Sequence, residues 1–196
     1  MRKTFEISTV LMILVLTIVR LFINKLGMPN FQPIGAIALL AGAMFATQGK
    51  RFSIPLGAML LSDLALAAIS PEFKSYLGNI SMIAVYGAFA LTVLIGKTVL
   101  SKNKSGLSIL KASILSGIAF FLITNFAAWL DPIHGMYSKD FVGLIQCYAA
   151  GLAFYKNDVM SNFFLNGVVS TFIFTTVALA AIKWVDSVQL KAKQVA

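Results

Sequence analysis

One acidic residue stands inside a long apolar stretch of the sequence. Asp63 follows Ser62 in a run whose other members, from Leu60 to Leu64, are leucines. An ionised carboxylate in such a setting needs a cation, several hydrogen-bond donors or a raised pKa. Asp63 could bind a substrate, relay a proton or form a structural hydrogen bond, and the sequence leaves these roles open.

Amide and aromatic side chains also gather near one end of the predicted helices. Asn162 and Asn166 lie one helical turn apart and therefore share a face. Polar groups that face hydrocarbon are costly, so they should face one another or a wet cavity. We predict a substrate-binding pocket open to the outside. Its predicted residues are Asn30, Gln32, Asp63, Asn79, Tyr86, Asn125, Trp129, Tyr148, Asn162 and Asn166. The alternative is hydrogen bonding between helices, with the usual enrichment of Asn, Tyr and Trp at membrane interfaces.

Signals for catalysis or a resident cofactor are missing from the sequence. It has no Gly-rich phosphate loop, no HExxH, no GxSxG and no paired carboxylates at a useful spacing. We therefore expect no enzyme activity, no cofactor and no protein-bound metal. Cys147 should be a small buried hydrophobe and His134 a loop residue. If both faced the cavity, they could offer soft ligands to a metal-containing substrate.

The composition places these residues in a helical membrane protein. Of the 196 residues, 59% are hydrophobic and 12% charged, and the mean hydropathy is +0.87. So much apolar surface must face lipid, and a spanning helix needs about 20 apolar residues. We predict an all-α, single-domain bundle over 1–196. About six spans are expected, at 5–24, 32–49, 52–70, 77–99, 107–130 and 159–185. An interfacial or re-entrant helix at 139–155, capped by Ser138, completes the prediction.

The charge distribution predicts the orientation of the bundle. The formal charge is +9, with the basic residues in short clusters between apolar runs, which argues against a nucleic-acid partner. With both termini in the cytoplasm, most cations fall inside, as the positive-inside rule requires. The inside set is Arg2, Lys3, Lys50, Arg51, Lys97, Lys102, Lys104, Lys111, Lys183, Lys191 and Lys193. Arg20 is assigned toward the outside. The lipid bilayer, with its anionic headgroups, is the expected partner.

Small residues recur at four-residue spacing in the second predicted span, at Ala38, Gly42 and Ala46. This spacing lets helix backbones approach closely in lipid. It predicts packing within the bundle or, alternatively, a docking face for a partner membrane protein.

Several sequence elements resemble an uncharacterised family of small bacterial integral membrane proteins. They are Pro29-Asn30-Phe31-Gln32-Pro33-Ile34, Leu61-Ser62-Asp63-Leu64, Tyr86-Gly87-Ala88-Phe89-Ala90-Leu91, Thr124-Asn125-Phe126 with Trp129, and Gly143-Leu144-Ile145-Gln146-Cys147-Tyr148. That family is similar to the S components of energy-coupling-factor vitamin transporters, and the cobalamin type is one candidate among them. The resemblance implies an S-component-like fold in a bacterial cytoplasmic (inner) membrane.

Two departures from the pattern bear on function. Gly27 and Met28 stand where members of the family often carry a histidine. If that histidine contacts the ligand, the contact is lost here or replaced by one from Met28. The first span also lacks the Ala-x-x-x-Ala face on which S components often dock an energising module. Either a recruited module or a solitary transporter is therefore compatible with the sequence.

The leading hypothesis is a substrate-binding subunit for uptake of a vitamin-like small molecule, with cobalamin as the first candidate. Residues 131–157 would form a lid over the pocket. The alternative is a non-transporting scaffold of a cell-envelope complex, similar to rod-shape-determining membrane subunits. A scaffold should have its polar side chains paired with each other and no cavity between them.

Overall fold

The computed structural model describes residues 2–23, 30–131, 136–153 and 163–195, and these form helices without any strand. The helices are α1 (Arg2–Ile23), α2 (Ile34–Met44), α3 (Gln48–Ile69), α4 (Pro71–Tyr76), α5 (Ile80–Ile95), α6 (Gly106–Leu130), α7 (Phe141–Ala153) and α8 (Phe163–Val195). A π-helical turn, Gly96–Leu100, continues α5. The all-helical prediction is confirmed for the described part of the chain.

Five of the described helices are long and apolar enough to cross a membrane: α1, α3, α5 with its π turn, α6 and α8. Large apolar side chains remain exposed on their outer faces. Examples are Leu11, Leu61, Ile83, Leu107 and Trp184. Such side chains would be unfavourable in water, and they suit a bundle that contacts lipid.

Helix α2 differs from the predicted span at 32–49. It has 11 residues and so rises about 16 Å, too little to cross a hydrocarbon core of about 30 Å. Nine of its residues are buried. The chain turns into α2 at Pro33 and leaves it at Phe45, whose backbone is extended. Of the about six predicted spans, the one at 32–49 is therefore not a candidate crossing, because this apolar run is short and lies inside the bundle.

The remaining predicted helices are present with shifted ends. The span predicted at 107–130 is Gly106–Leu130, whereas the last helix continues from the predicted end at 185 to Val195. The predicted helix at 139–155 is α7, Phe141–Ala153. Helix α4 was not predicted. It begins with Pro71 in its first turn, a position that proline favours.

A tightly packed apolar core lies toward the end of the bundle where α1 begins and α2 ends. Its largest fully buried members include Ile13, Leu39, Leu40, Phe45 and Ile182. Cations are found at this end too. Lys50 forms an ion pair with Glu6 of 2.7 Å, and Arg51 Nε donates to the Phe45 carbonyl. Burial and the nearby Lys183 lower the pKa of Lys104.

The small residues of α2 pack inside the bundle. A Cβ on Gly42 would overlap the backbone of Val93 and Lys97, and a Cβ on Gly96 would overlap the backbone of Leu39. The two glycines therefore allow α2 to lie directly against α5 and its π turn. Ala38 is also buried. Of the two interpretations of this small-residue spacing, the structure favours internal packing.

Replacing Gly42 with leucine is expected to destabilise the bundle by about 3 kcal/mol, because the new atoms meet backbone that cannot move aside. Gly87→Leu is the matched control, since Gly87 is an exposed helical glycine with open space around it. Unfolding of both variants by SDS titration in mixed micelles measures the difference. Equal stability of the two variants would contradict the close approach of α2 and α5.

Candidate functional site

A buried ion pair joins α1 to α3. The Nη2 atom of Arg20 lies 2.6 Å from Oδ1 of Asp63, and the two side chains are 5% and 0% exposed. Neither charge could remain in an apolar bundle alone, because removing an ion from water costs several kcal/mol unless a partner compensates. The cation that Asp63 requires is therefore Arg20.

Further polar groups form hydrogen bonds with both members of this pair. Arg20 Nε donates to Oε1 of Gln32, and Nη1 donates to the Met59 carbonyl and to the hydroxyl of Ser62. On the other side, the Tyr86 hydroxyl donates to Oδ2 of Asp63 at 2.8 Å. Helices α1, α3 and α5 and the start of α2 are thus tied together at one depth.

The sequence did not identify Arg20 as the partner of Asp63; it only assigned Arg20 toward the outer side of the membrane. A signal was present, because Arg20 is a lone cation within the apolar run that ends α1. Sequence alone could not decide the pairing. The two residues are 43 positions apart, and their contact depends on how α1 and α3 pack.

A cavity of about 600 Å³ lies beside this pair and is partly open. Most of its wall is apolar and aromatic, with a set of hydroxyl and amide groups. The aromatic lining residues are Phe73, Tyr76, Phe89, Phe120, Phe121 and Phe164. The polar lining residues are Arg20, Asn30, Gln32, Thr92, Ser116, Thr124, Asn125, Ser170 and Thr171. A cavity with an aromatic wall and a few polar groups is the usual form of a small-molecule site.

The cavity occupies the end of the bundle opposite the Glu6–Lys50 pair. Arg20 is near the end of α1, Gln32 precedes α2, Asn125 is near the end of α6 and Phe164 is near the start of α8. On its wall, Gly35 lets α2 lie close to α8, since a Cβ there would overlap the Thr171 hydroxyl. The packed core and the cavity therefore lie at different ends of the bundle.

A comparison with known families matches residues 2–192 to a family of unknown function, DUF6580. The chain belongs to this family. Comparisons with curated proteins and with solved structures found no match. The family assignment covers almost the whole chain and carries no activity, so any function of this DUF6580 protein has to be argued from its own site.

Three of the predicted site residues, Asn30, Gln32 and Asn125, line the cavity of this DUF6580 protein. Asp63 and Tyr86 do not line the cavity and belong to the ion-pair network beside it. The structure therefore places three predicted residues on the cavity wall and two more in the network of the neighbouring ion pair.

The other predicted residues lie elsewhere. Asn79 accepts a hydrogen bond from the Met82 amide and caps the start of α5. Asn166 is buried in α8 but does not line the cavity. Asn162 lies outside the described residues, as does His134.

Trp129 and Tyr148 hold α7 against α6. Trp129 Nε1 donates to the Ser138 carbonyl, and the Tyr148 hydroxyl donates to the Leu122 carbonyl, each at 2.8 Å. Cys147 is buried and lies 3.3 Å from the Asn125 carbonyl. Through these contacts α7 reaches the cavity at its Gly151 backbone. Of the predicted lid at 131–157, residues 132–135 and 154–157 lie outside the described part of the chain.

The predicted cap of α7 at Ser138 was wrong. The Gly143 amide donates to Oδ1 of Asp140 at 2.7 Å, so Asp140 caps the helix. The Ser138 hydroxyl donates to the same oxygen. These two bonds lower the pKa of the Asp140 carboxyl, because they stabilise its charged form. Aspartate is preferred over serine here since its charge also matches the positive helix terminus.

Helix α4 contributes two aromatic residues that the sequence analysis did not single out. Phe73 and Tyr76 contact each other with ring centroids 6.2 Å apart, and both line the cavity. Burial, and then the nearby charge of Asp63, raise the pKa of Tyr76. Tyr76 is therefore a neutral hydroxyl at the cavity. The described residues contain no group of three or more His, Cys, Asp or Glu that could hold a metal ion.

Replacing Asp63 with asparagine is expected to cost about 3–5 kcal/mol of stability, because it leaves the Arg20 charge buried without its counter-ion. The double variant R20M/D63L should recover most of that loss, since it removes both charges. SDS titration in mixed micelles measures these differences.

Lys50→Met is the matched control for the buried pair. It breaks the Lys50–Glu6 pair, whose lysine is 52% exposed, and should change stability by only about 0–1 kcal/mol. If Asp63→Asn were as mild as Lys50→Met, the Arg20–Asp63 pair would not carry the role assigned to it.

Proposed function

We propose that this protein is a substrate-binding membrane subunit for uptake of a vitamin-like small molecule, and that the molecule binds in the cavity beside Arg20. The cavity is the observation that carries the proposal. Its wall combines aromatic rings from α4, α5, α6 and α8 with hydroxyl and amide groups from α5, α6, α8 and the segment before α2, at one end of an apolar bundle. The likeness to S components, drawn from sequence elements alone, is part of the same proposal.

The cavity size bears on the choice of substrate. A volume of about 600 Å³ falls within the range of about 300–1,000 Å³ that small-molecule sites occupy. Cobalamin, the first candidate from the resemblance, carries a corrin ring and a nucleotide tail and is larger than such ligands. It would require the bundle to open, so the cavity favours a smaller vitamin-like molecule.

Release to the other side requires a change of conformation. The opposite end is filled by the apolar core around Ile13, Leu39 and Ile182, and the close approach at Gly42 and at Gly96 closes α2 against α5 and its π turn. A static bundle offers no polar path there. Transport would need reorientation of the protein or opening by an energising module. Such a module would dock elsewhere than on the buried small residues of α2.

The proposed location is a bacterial cytoplasmic membrane, with both termini and the cationic end in the cytoplasm. Lys50 and Arg51 lie at the end opposite the cavity, as do Lys97, Lys102 and Lys104 around the α5–α6 connection. By the positive-inside rule, the cavity would then open outward.

A non-transporting scaffold of a cell-envelope complex is the second candidate. It is favoured by Trp129 and Tyr148, whose contacts hold α7 against α6, and by Asn79, which caps α5. A scaffold gives no reason for the cavity, whose lining would serve no structural purpose. Ligand binding therefore separates the two candidates.

Binding of cobalamin, thiamine, biotin and riboflavin to the wild-type protein in nanodiscs, measured by calorimetry, tests the proposal. We expect Gly167→Phe to lower the affinity of the molecule that binds by at least about tenfold. Gly167 lines the cavity, and a Cβ there meets open space, so the ring can fill the site without disturbing the helix.

Gly87→Phe is the matched control, because Gly87 also has open space around it but lies away from the cavity. It should bind like the wild type. No binding of any of the four compounds by the folded protein would count against uptake. Binding that Gly167→Phe does not weaken would place the ligand outside this cavity.

A further inference from the structure

Three hydroxyl groups of the cavity wall, on α5 and α6, have already used their hydrogens. Thr92 Oγ1 donates to the Ala88 carbonyl at 3.0 Å, and Ser116 Oγ donates to the Ala112 carbonyl at 2.7 Å. Thr124 Oγ1 likewise donates to the carbonyl one turn earlier in α6. A hydroxyl has one hydrogen and two lone pairs. All three groups can therefore offer a ligand only acceptor lone pairs.

The Asn125 amide also presents an oxygen acceptor, and one of its two N–H groups is bonded within the helix. Its Nδ2 atom donates to the Phe121 carbonyl at 2.8 Å. Its Oδ1 atom lies toward Gly151, the glycine through which α7 borders the cavity. Ser170, also on the wall, donates within its own helix to the Gly167 carbonyl. Side chains from α5, α6 and α8 thus present acceptors.

Arg20 adds no net charge to the cavity wall. Its guanidinium has five N–H groups, and Gln32, Met59, Ser62 and Asp63 accept from four of them. Asp63 cancels its charge, and no other charged side chain is among the described residues of the wall. An anionic ligand would have to displace Asp63 or remain without a counter-ion, and either would be costly.

Aromatic pairs define the shape of the site. Phe89 and Phe120 lie with ring centroids 5.6 Å apart, and Phe121 and Phe164 lie 6.1 Å apart. All four rings line the cavity. Rings of this kind favour offset-stacked or edge-to-face contacts with another aromatic ring.

We propose that the cavity selects an uncharged, planar aromatic ligand that donates hydrogen bonds from N–H or O–H groups. The proposal rests on the cavity being a ligand site, as proposed above, and names the class of ligand. The donors of the ligand pair with Thr92, Ser116 and Thr124, while its ring packs among the phenylalanines.

Three matched probes test this selectivity: indole, benzofuran and indole-5-carboxylate. Benzofuran replaces the N–H group by oxygen, and the third probe adds an anion. Calorimetry in nanodiscs, with empty nanodiscs to subtract lipid partition, gives each affinity. We expect indole to bind about fivefold tighter than benzofuran, the effect of one hydrogen bond of about 1 kcal/mol. The carboxylate should bind at least about tenfold more weakly than indole.

The variant T92V/S116A/T124V removes the three acceptors while keeping the shape of the wall. It should bind indole and benzofuran equally, with the affinity for benzofuran unchanged. Thr98→Val is the matched control. The Thr98 hydroxyl also donates to its own helix, at the Leu94 carbonyl, but it is exposed and away from the cavity. This control should keep the preference for indole.

Several outcomes would overturn the inference. They are equal binding of indole and benzofuran by the wild type, tightest binding of the carboxylate, and no binding of any probe by the folded protein. Retention of the indole preference in the triple variant would also overturn it. A clear indole preference without binding or uptake of any vitamin would leave the ligand class standing and remove the uptake function.

Discussion

Arg20 and Asp63 lie in the apolar part of two different helices, and the position of each depends on the other. Their direct contact, with Ser62, Gln32 and Tyr86 around it, gives each charge a counter-ion and hydrogen-bond partners. Lipid or an apolar core would supply neither. Because the groups come from four segments, the contact also sets the relative depth of α1, α2, α3 and α5. The cavity lies beside Arg20, where polar groups join these helices.

The two ends of the bundle are built by different means. At the Lys50 end, α2 lies directly against α5 because Gly42 and Gly96 remove the side chains that would separate them. At the other end, α2 begins only at Ile34, and large rings such as Phe89 and Phe121 stand between the helices. Rings that large pack against one another and leave space between the pairs. A closed end and an open end follow from this distribution of small and large residues along the same helices.

This division favours binding over a purely structural role. The amides and aromatic residues with structural contacts, Asn79, Trp129 and Tyr148, lie away from the cavity. On its wall, Thr92 and Ser116 donate their hydrogens within their own helices and retain lone pairs that can accept. Hydroxyls bonded in this way are stable when the cavity is empty and can still accept from a ligand. Membership in DUF6580 adds no activity to this argument, so the cavity itself supports the proposal.

The sequence by itself determined the helical class and most helix positions. Apolar runs such as 107–130 must form helices in lipid whatever they pack against, because backbone groups there have no water to bond. It also showed that Asp63 needs a partner. Only the tertiary structure decided that Arg20 is that partner, that α2 is short and enclosed, and that Asn79 and Trp129 lie away from the cavity. The reason is that these outcomes depend on which helices cross and at what depth, and the spacing of residues along one helix does not contain that information.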